Sequence, residues 1–382
     1  MIRILFLIHD LEGGGAEKVL VNLVNHMDPK KFEITVYSLF DTGVNREFLK
    51  PHIHYRSAWK NVFPGNSHFL KLFSPLNLYN RMIGESSDPV DPLYNIVVSF
   101  LEGPCTRIIS GNKNPNVRKV NWIHSTVHNE KELSASFRSI AEARECFACF
   151  DASYFVSKKV MEAFMRLLPN IKNPEVLYNP NDIENILLQS QKPLEKCLQN
   201  NGTFHWCGMG KLVENKGFDR MIRIQSRLTR DGLNAHLHIL GTGELEYQLK
   251  ELAEKEKVPD SVTFWGYQNN PYNILKAMDL FVCASHSEGY STAATEALIV
   301  GTPVCTVDVS GMDELLAGEQ KCGVIVKNEE PALSNAVQQI VLNKKYYSTL
   351  KNGALQKSEA LCSSNYIKAI ENSLISLMEE EK

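Results

Sequence analysis

The stretch Ser287-Glu288-Gly289-Tyr290-Ser291-Thr292-Ala293-Ala294-Thr295-Glu296-Ala297-Leu298 carries two carboxylates with seven residues between them. A strand-like run, 280–283, precedes it, and a helix-like run, 293–300, begins inside it. The loop between them therefore offers the N–H groups of Tyr290, Ser291 and Thr292 to a phosphate. Glu296, one turn into an otherwise apolar helix, can accept two hydrogen bonds from a vicinal diol such as a ribose. Glu288, at the loop's entrance, can reach a sugar ring or balance developing positive charge. The plainer alternative is a solvated pair of carboxylates, which leaves Glu296 oddly placed. Upstream, Gly208-Met209-Gly210-Lys211-Leu212-Val213-Glu214-Asn215-Lys216-Gly217 again joins a strand to a helix. Lys211 and Lys216 can both point at one polyanion such as a pyrophosphate; taken alone, they read equally well as surface lysines.

The amino-terminal part holds a third strand-to-helix turn, Gly13-Gly14-Gly15-Ala16-Glu17-Lys18. Glycines let a backbone approach a ligand closely, and the helix start favours an anion. The strict Gly-x-Gly-x-x-Gly fingerprint is missing, with Lys18 where its last glycine would stand, which disfavours a nicotinamide dehydrogenase. His124, in Trp122-Ile123-His124-Ser125, lies just beyond a strand's carboxyl end, the ligand side of an α/β sheet. A lone histidine is more often structural, so this residue stays open on position alone. Cys146 and Cys149 form a single Cys-x-x-Cys with no second pair to complete a zinc site, and read as half-buried helix residues.

These residues need a scaffold of strands alternating with helices. Strands are expected at 2–8, 32–39, 95–100, 117–123 and 152–156, with helices at 16–26, 131–149 and 157–167, the last capped by Ser157. Turn and linker signals fill 179–202, and the rhythm then restarts. In the second half strands are expected at 204–207, 235–240, 262–265, 280–283 and 304–307, and helices at 218–230, 244–255 and 293–300. The expected division is a first domain over 1–180, with a helix over 366–382 packing back on it, and a second over 181–365. At 382 residues two domains of roughly 150 to 200 residues are the natural count.

Composition narrows the function. With 43% hydrophobic residues, 22% charged and a net charge of −3, the chain reads as an ordinary globular protein and not as a nucleic-acid binder. The apolar run 4–8 is too short for a signal peptide and runs into His9, Asp10 and Glu12. No stretch reaches the ~20 apolar residues that span a bilayer. Nine cysteines, an odd number, fit a reducing cytoplasm better than a disulfide framework. The segment 61–83 mixes Phe63, His68, Phe69, Leu70, Lys71, Leu72, Phe73, Leu76, Leu78, Tyr79 and Arg81. It reads either as an interfacial element at the inner leaflet of a membrane or as a helix with buried aromatics.

Glu288 and Glu296 at this spacing resemble the paired-glutamate motif of the retaining glycosyltransferases of family 4. The turn after the first strand, the Gly-x-Gly-Lys-Leu-Val-Glu-Asn-Lys-Gly-Phe-Asp run, Gly241-Thr242-Gly243-Glu244, Trp265-Gly266-Tyr267, Gly301-Thr302-Pro303-Val304 and Gly311-Met312-Asp313-Glu314 follow in the family's order. The resemblance implies the GT-B fold, two Rossmann-like doubly wound parallel-sheet domains facing each other across a cleft. It implies that Lys211 and Lys216 hold a donor diphosphate, Lys211 standing where many members have arginine and so giving a point-charge contact in place of a forked one. It further implies that Glu296 holds the ribose and Glu288 the transferred sugar. Tyr290, Ser291 and Thr292 would offer N–H groups, and Gly241 with the 265–268 loop, Tyr267 in it, would flank the base. Gly14 and Gly15 would approach the diphosphate, and His124 would face the donor sugar.

The resulting expectation is a retaining glycosyltransferase of surface-polysaccharide type. It would move a hexose or N-acetylhexosamine from a nucleotide sugar, uridine-linked on family frequency, to a glycan or polyprenyl-diphosphate-linked saccharide. No Asp-x-Asp pair occurs, so neither an obligatory metal nor a cofactor beyond the nucleotide sugar is expected. The expected location is the cytoplasm, peripheral at the membrane's cytoplasmic face. A sugar-nucleotide epimerase or hydrolase on the same fold, or a non-catalytic nucleotide-sugar-binding subunit, remains the alternative.

Overall fold

The computed structural model describes residues 1–62, 66–84, 92–194, 198, 202–362 and 365–379. The chain forms two compact units, Met1–Asn181 with Asn365–Lys382, and Asp182–Ser364. The first unit is built on seven strands: β1 (Ile2–Ile8), β2 (Phe32–Phe40), β3 (His54–Trp59), β4 (Ile96–Ser99), β5 (Arg118–Ile123), β6 (Ala152–Phe155) and β7 (Pro174–Val176). They pair in the order β3-β2-β1-β4-β5-β6-β7, every pair parallel. The second unit has six: β8 (Phe204–Met209), β9 (Ala235–Leu240), β10 (Val262–Gly266), β11 (Leu280–Cys283), β12 (Val304–Val307) and β13 (Gly323–Val326), ordered β10-β9-β8-β11-β12-β13 and again all parallel. Helices cover both faces of such sheets, which is why central strands read as unbroken apolar runs; in β1, Ile4 to Ile8 are all fully buried. In each sheet the order reverses once, at β1/β4 and at β8/β11. Ligands of open α/β sheets bind beyond the carboxyl ends of the strands flanking such a reversal.

The expected helix over 131–149 is two helices, Glu130–Leu133 and Ile140–Ala148. Ser139 restarts the second, its Oγ accepting the Glu142 N–H at 3.1 Å, so an N-cap signal within the apolar spacing overrides the period. Glu142 turns its carboxylate to Arg107, which is only 1% exposed. The Arg107 fork donates to Glu142 at 2.8 and 3.2 Å, and its remaining N–H groups reach the carbonyls of Leu70 (2.8 Å) and Phe73 (2.7 Å). One guanidinium thus ties helices Asn66–Leu72, Pro104–Ile109 and Ile140–Ala148 together. Burial works against the Glu142 charge, yet the Arg107 contacts and the Arg138 N–H hold its carboxyl below the usual range.

Segment 61–83 resolves into helices Asn66–Leu72 and Pro75–Met82, the second capped by Ser74. Leu70, Leu78 and Tyr79 face the core, whereas Phe69, Leu72 (73% exposed) and Leu76 face outward; Phe63 lies outside the described residues. Within the expected linker 179–202, residues 183–190 instead form a helix, Ile183–Ser190. Its start is fixed by Asp182, whose Oδ1 accepts the Asn185 N–H. The turn signal at Asn179-Pro180-Asn181-Asp182, within the expected linker, supplies a helix cap. The helix Tyr366–Glu379 belongs to the first unit: Glu371 accepts the Asp28 N–H (2.7 Å) and Ser373 Oγ meets the Tyr154 hydroxyl (2.7 Å). Among the described residues no helix is long and apolar enough to cross a membrane. Cys146 is buried inside its helix and Cys149 caps it, donating to backbone oxygens; burial pushes both thiols up.

In the second unit, one sheet face carries a cluster of three imidazoles, His205, His236 and His238. The Trp265 indole can only donate, and it donates to His238 Nδ1 at 3.0 Å. His238 therefore carries its proton on Nε2, which faces His205 Nδ1 at 2.9 Å. Burial pushes His238 down to about 3, with His236 and His205 adding to the shift. A folded pKa below the unfolded 6.5 means that the stability from a neutral His238 is complete above pH ~6.5 and is lost as pH falls towards 3.

Two predictions follow from these packing arrangements. Arg107→Met strands Glu142 and two carbonyls and should cost about 3–5 kcal/mol in urea unfolding; a loss below ~1 kcal/mol would show the guanidinium to be peripheral. In urea titrations from pH 7 to 4, His238→Gln should flatten the acid limb, and an unchanged limb would assign that loss to other groups.

Candidate functional site

The loops flanking the β8/β11 reversal hold the two residue sets singled out by type. After β8 the chain runs through Gly210 and Lys211 to a short turn, Glu214–Lys216, and enters helix Phe218–Arg230. After β11 it passes Ser285 and Glu288 and enters helix Thr292–Ile299, capped by Ser291 Oγ, which accepts the Ala294 N–H at 3.3 Å. The loops are joined by Lys216 Nζ, 2.6 Å from Glu288 Oε1, and the same oxygen accepts from Ser285 Oγ at 2.6 Å. Their side chains keep 30% and 11% of their exposure, so the pair sits at a wet surface with one face shielded. Asn215 reinforces the joint: its Nδ2 donates to the Ser287 carbonyl (2.9 Å), and its carbonyl accepts the His286 N–H (2.8 Å). Arg220, from the helix, donates to the Ala284 carbonyl (3.2 Å) and to Asn328 (2.7 Å).

Gly217 makes this closeness possible. Its φ is +64°, and a Cβ there would run into the Ala284 carbonyl. Gly241, with φ +127°, plays the same part on the other side, where a Cβ would strike the Gly210 carbonyl. The loops after β8, β9 and β10 are then knitted by backbone bonds, Leu212 N to Thr242 O (2.9 Å) and Gly241 N to Gly266 O (2.9 Å). Tyr267 follows at once, 50% exposed.

Lys211, Lys216, Gly241, Tyr267, Glu288, Tyr290, Ser291, Thr292 and Glu296 therefore all lie at the carboxyl edge of one sheet. Lys211 is on its exposed rim. Tyr290 and Ser291 are buried, with a Cβ at Gly311 falling 2.7 Å from the Tyr290 ring. Glu296 is only 3% exposed, which removes the solvated-surface alternative for it. The opening N–H groups of helix Thr292–Ile299 have no acceptor within the helix and give this edge positive potential.

The first unit places its candidates at the same kind of edge. Gly14 caps helix Gly15–His26, which starts one residue before the expected 16. The Glu17 carboxylate lies where a Cβ of Gly14 would be, so a side-chain anion covers the helix start where a diphosphate was expected. His124 follows β5; its N–H donates to Glu102 Oε2 at 3.0 Å, and its ring packs on Phe100, with centroids 4.6 Å apart. Burial pushes His124 down to about 3, so the ring is neutral at ordinary pH. Its Nε2 is buried without a hydrogen-bond partner among the described residues. Burial pushes the Glu102 carboxyl up, against hydrogen bonds from Ser125 and His124.

Glu102 was not singled out from sequence, nor were Ser285 and Asn215. A signal existed for Glu102, which sits just past the carboxyl end of β4 as His124 does past β5. Ser285 stands three residues before Glu288 on the same loop, whereas Asn215 is recognisable only once the two loops are seen to touch.

Gly217→Ala forces a side chain into a left-handed turn against a carbonyl. It should destabilise the second unit by more than about 1 kcal/mol in urea unfolding. Unchanged stability would mean that the loops do not depend on this approach.

Residues 196–357 match the family model described as glycosyl transferases group 1. Over 365 residues the chain is 26% identical to the N-acetylgalactosamine-N,N'-diacetylbacillosaminyl-diphospho-undecaprenol 4-alpha-N-acetylgalactosaminyltransferase of Campylobacter jejuni, covering 92% of this chain and 94% of that protein. An uncharacterised glycosyltransferase of Methanocaldococcus jannaschii is 35% identical over 166 residues, 43% of this chain and 40% of its own length. Among solved structures, Anabaena HepE in complex with UDP and glucose superposes with a TM-score of 0.74 at 16% identity, covering 98% of this chain and 100% of that one. Staphylococcus aureus TarM gives 0.70 at 13%, covering 100% of both chains. With two parallel-sheet α/β units and these neighbours, the fold is GT-B, and residues 196–357 are similar to the group 1 glycosyl transferases.

Proposed function

We propose that the chain is a retaining glycosyltransferase of family 4. It moves a hexose or N-acetylhexosamine from a nucleotide sugar, uridine-linked, to a hydroxyl of a lipid-linked glycan acceptor in surface-polysaccharide or glycoconjugate synthesis. The observation that carries this reading is the meeting of Lys216 and Glu288 at the β8/β11 reversal, beside the start of helix Thr292–Ile299 and the buried Glu296.

Lys216 and Lys211 take the diphosphate, and the helix N–H groups share its charge. The arriving diphosphate competes with Glu288 for the Lys216 ammonium, which releases the carboxylate to hold the sugar. Glu296 accepts from the ribose hydroxyls, and Gly241 and Tyr267 flank the base. The bond from the anomeric carbon to the phosphate oxygen breaks as the acceptor oxygen bonds on the same face, and the acceptor's proton passes to the departing phosphate oxygen. Glu288 stabilises the positive charge on the sugar and forms no covalent bond to it. His124, neutral at working pH, takes part through hydrogen bonds to the donor sugar and not as an acid, and Gly14 and Gly15 bring backbone to the diphosphate once the Glu17 carboxylate turns aside. Lysines and helix N–H groups neutralise the leaving group, so no metal is required.

The Campylobacter relative's name specifies an alpha linkage and an undecaprenyl diphosphate carrier, which supports retention and a lipid-linked acceptor here. Phe69, Leu72 and Leu76, exposed on adjoining short helices, support peripheral contact with the cytoplasmic face of a membrane.

Incubation with UDP-, GDP- and dTDP-sugars and a lipid-linked acceptor should give a glycosylated product with the donor's anomeric configuration, undiminished by EDTA. Epimerised donor, free sugar or no product would favour the other enzyme classes or a binding subunit. Glu288→Gln should lower kcat by about 10²-fold or more without loss of folding, and retained turnover removes this role for Glu288.

A further inference from the structure

We infer that the amino edge of the first unit's sheet carries a separate binding site for a phosphoryl group. The edge lies at the opposite ends of the strands from His124 and Glu102. Ahead of β5, β6 and β7, residues 112–119, 149–151 and 172–173 enclose a cavity of about 460 Å³, large enough for a small ligand. Lys113, Arg118, Lys119 and Lys172 line it, against the single carboxylate of Asp151.

That carboxylate is already engaged. Asp151 Oδ2 accepts the Lys119 backbone N–H at 2.8 Å, and the Asp151 carbonyl accepts Asn173 Nδ2 at 3.1 Å. Asn173 adopts a φ of +39° in making this contact. Lys119, half-buried, brings its ammonium to the Asn112 carbonyl (3.3 Å) and the Cys149 sulfur, neither of them a counter-charge. Among the described residues Lys113, Lys119 and Lys172 form no ion pair. Lys113, Lys119 and Lys172 around one cavity with the single carboxylate of Asp151 leave net positive charge there. A group with more than one negative charge and several acceptor oxygens relieves it, which is the chemistry of a phosphate or diphosphate. Such a group can come from a soluble diphosphate or from a phospholipid headgroup. The inference does not rest on the donor reading, because its residues lie in the other unit and on the opposite kind of sheet edge.

Hydrogen exchange of the full chain, read peptide by peptide, separates the sources. Inorganic pyrophosphate should slow exchange over 112–119 and 172–173, with at least a tenfold loss of affinity in K113E/K172E, whose two positions are exposed and leave the core intact. A soluble source then stands. If pyrophosphate has no effect there, but the chain floats with phosphatidylglycerol and not phosphatidylcholine vesicles, and K113E/K172E abolishes flotation, the headgroup source stands. Protection confined to 210–217 and 288–292 with no such flotation, or binding indifferent to K113E/K172E, overturns the inference.

Discussion

The second unit depends on one short contact, the Lys216 ammonium against the Glu288 carboxylate with the Ser285 hydroxyl on the same oxygen. It joins loops that leave adjacent strands on opposite sides of the reversal in strand order. Without it, the Lys216 cation and the Glu288 carboxylate would each lose the opposite charge it faces, and the two glycine-bearing loops would lose their ionic tie. The contact is affordable only because each partner sits at a half-wet rim. Deeper burial would impose a desolvation penalty that attraction does not always offset. Being partly wet, it is also exchangeable, and an incoming anion can take the ammonium from the carboxylate.

The first unit repeats the topology with a different chemistry. Past the carboxyl ends of β4 and β5 the backbone of His124 is fixed by Glu102, and the imidazole, packed on Phe100 and Trp122, is kept neutral by burial. One unit thus offers cations, paired carboxylates and a helix start, and the other a neutral ring and a buried carboxyl. The Arg107 hub serves the scaffold as a single charged fork that ties its own helix to Glu142 and to the carbonyls of Leu70 and Phe73.

Much of this was legible in the sequence for physical reasons. Parallel strands are buried on both faces, so Ile2–Ile8 and Leu280–Cys283 announce themselves as apolar runs, and the turns after them concentrate glycine, lysine and glutamate. Edge strands carry no such signal: β7 is three residues long and begins with a proline, and β3 alternates with only half-buried residues. Caps misled in both directions. Ser139 divided what apolar spacing joined, and Asp182 began a helix where the turn signal marked a linker. Residues that act through another loop, such as Asn215 and Arg220, have no local signature, because their meaning lies in a partner some 60 to 110 positions away. The Glu17 carboxylate over Gly14 likewise depends on a rotamer that spacing does not fix.

The account is tested most directly by a double-mutant cycle on nucleoside-diphosphate binding, measured by calorimetry for the wild type, Lys216→Met, Glu288→Gln and the double variant. If the two residues act as one device across the strand reversal, the two effects will fail to add by about 1 kcal/mol or more. Effects that add to within about 0.5 kcal/mol would show two independent residues and contradict the central claim.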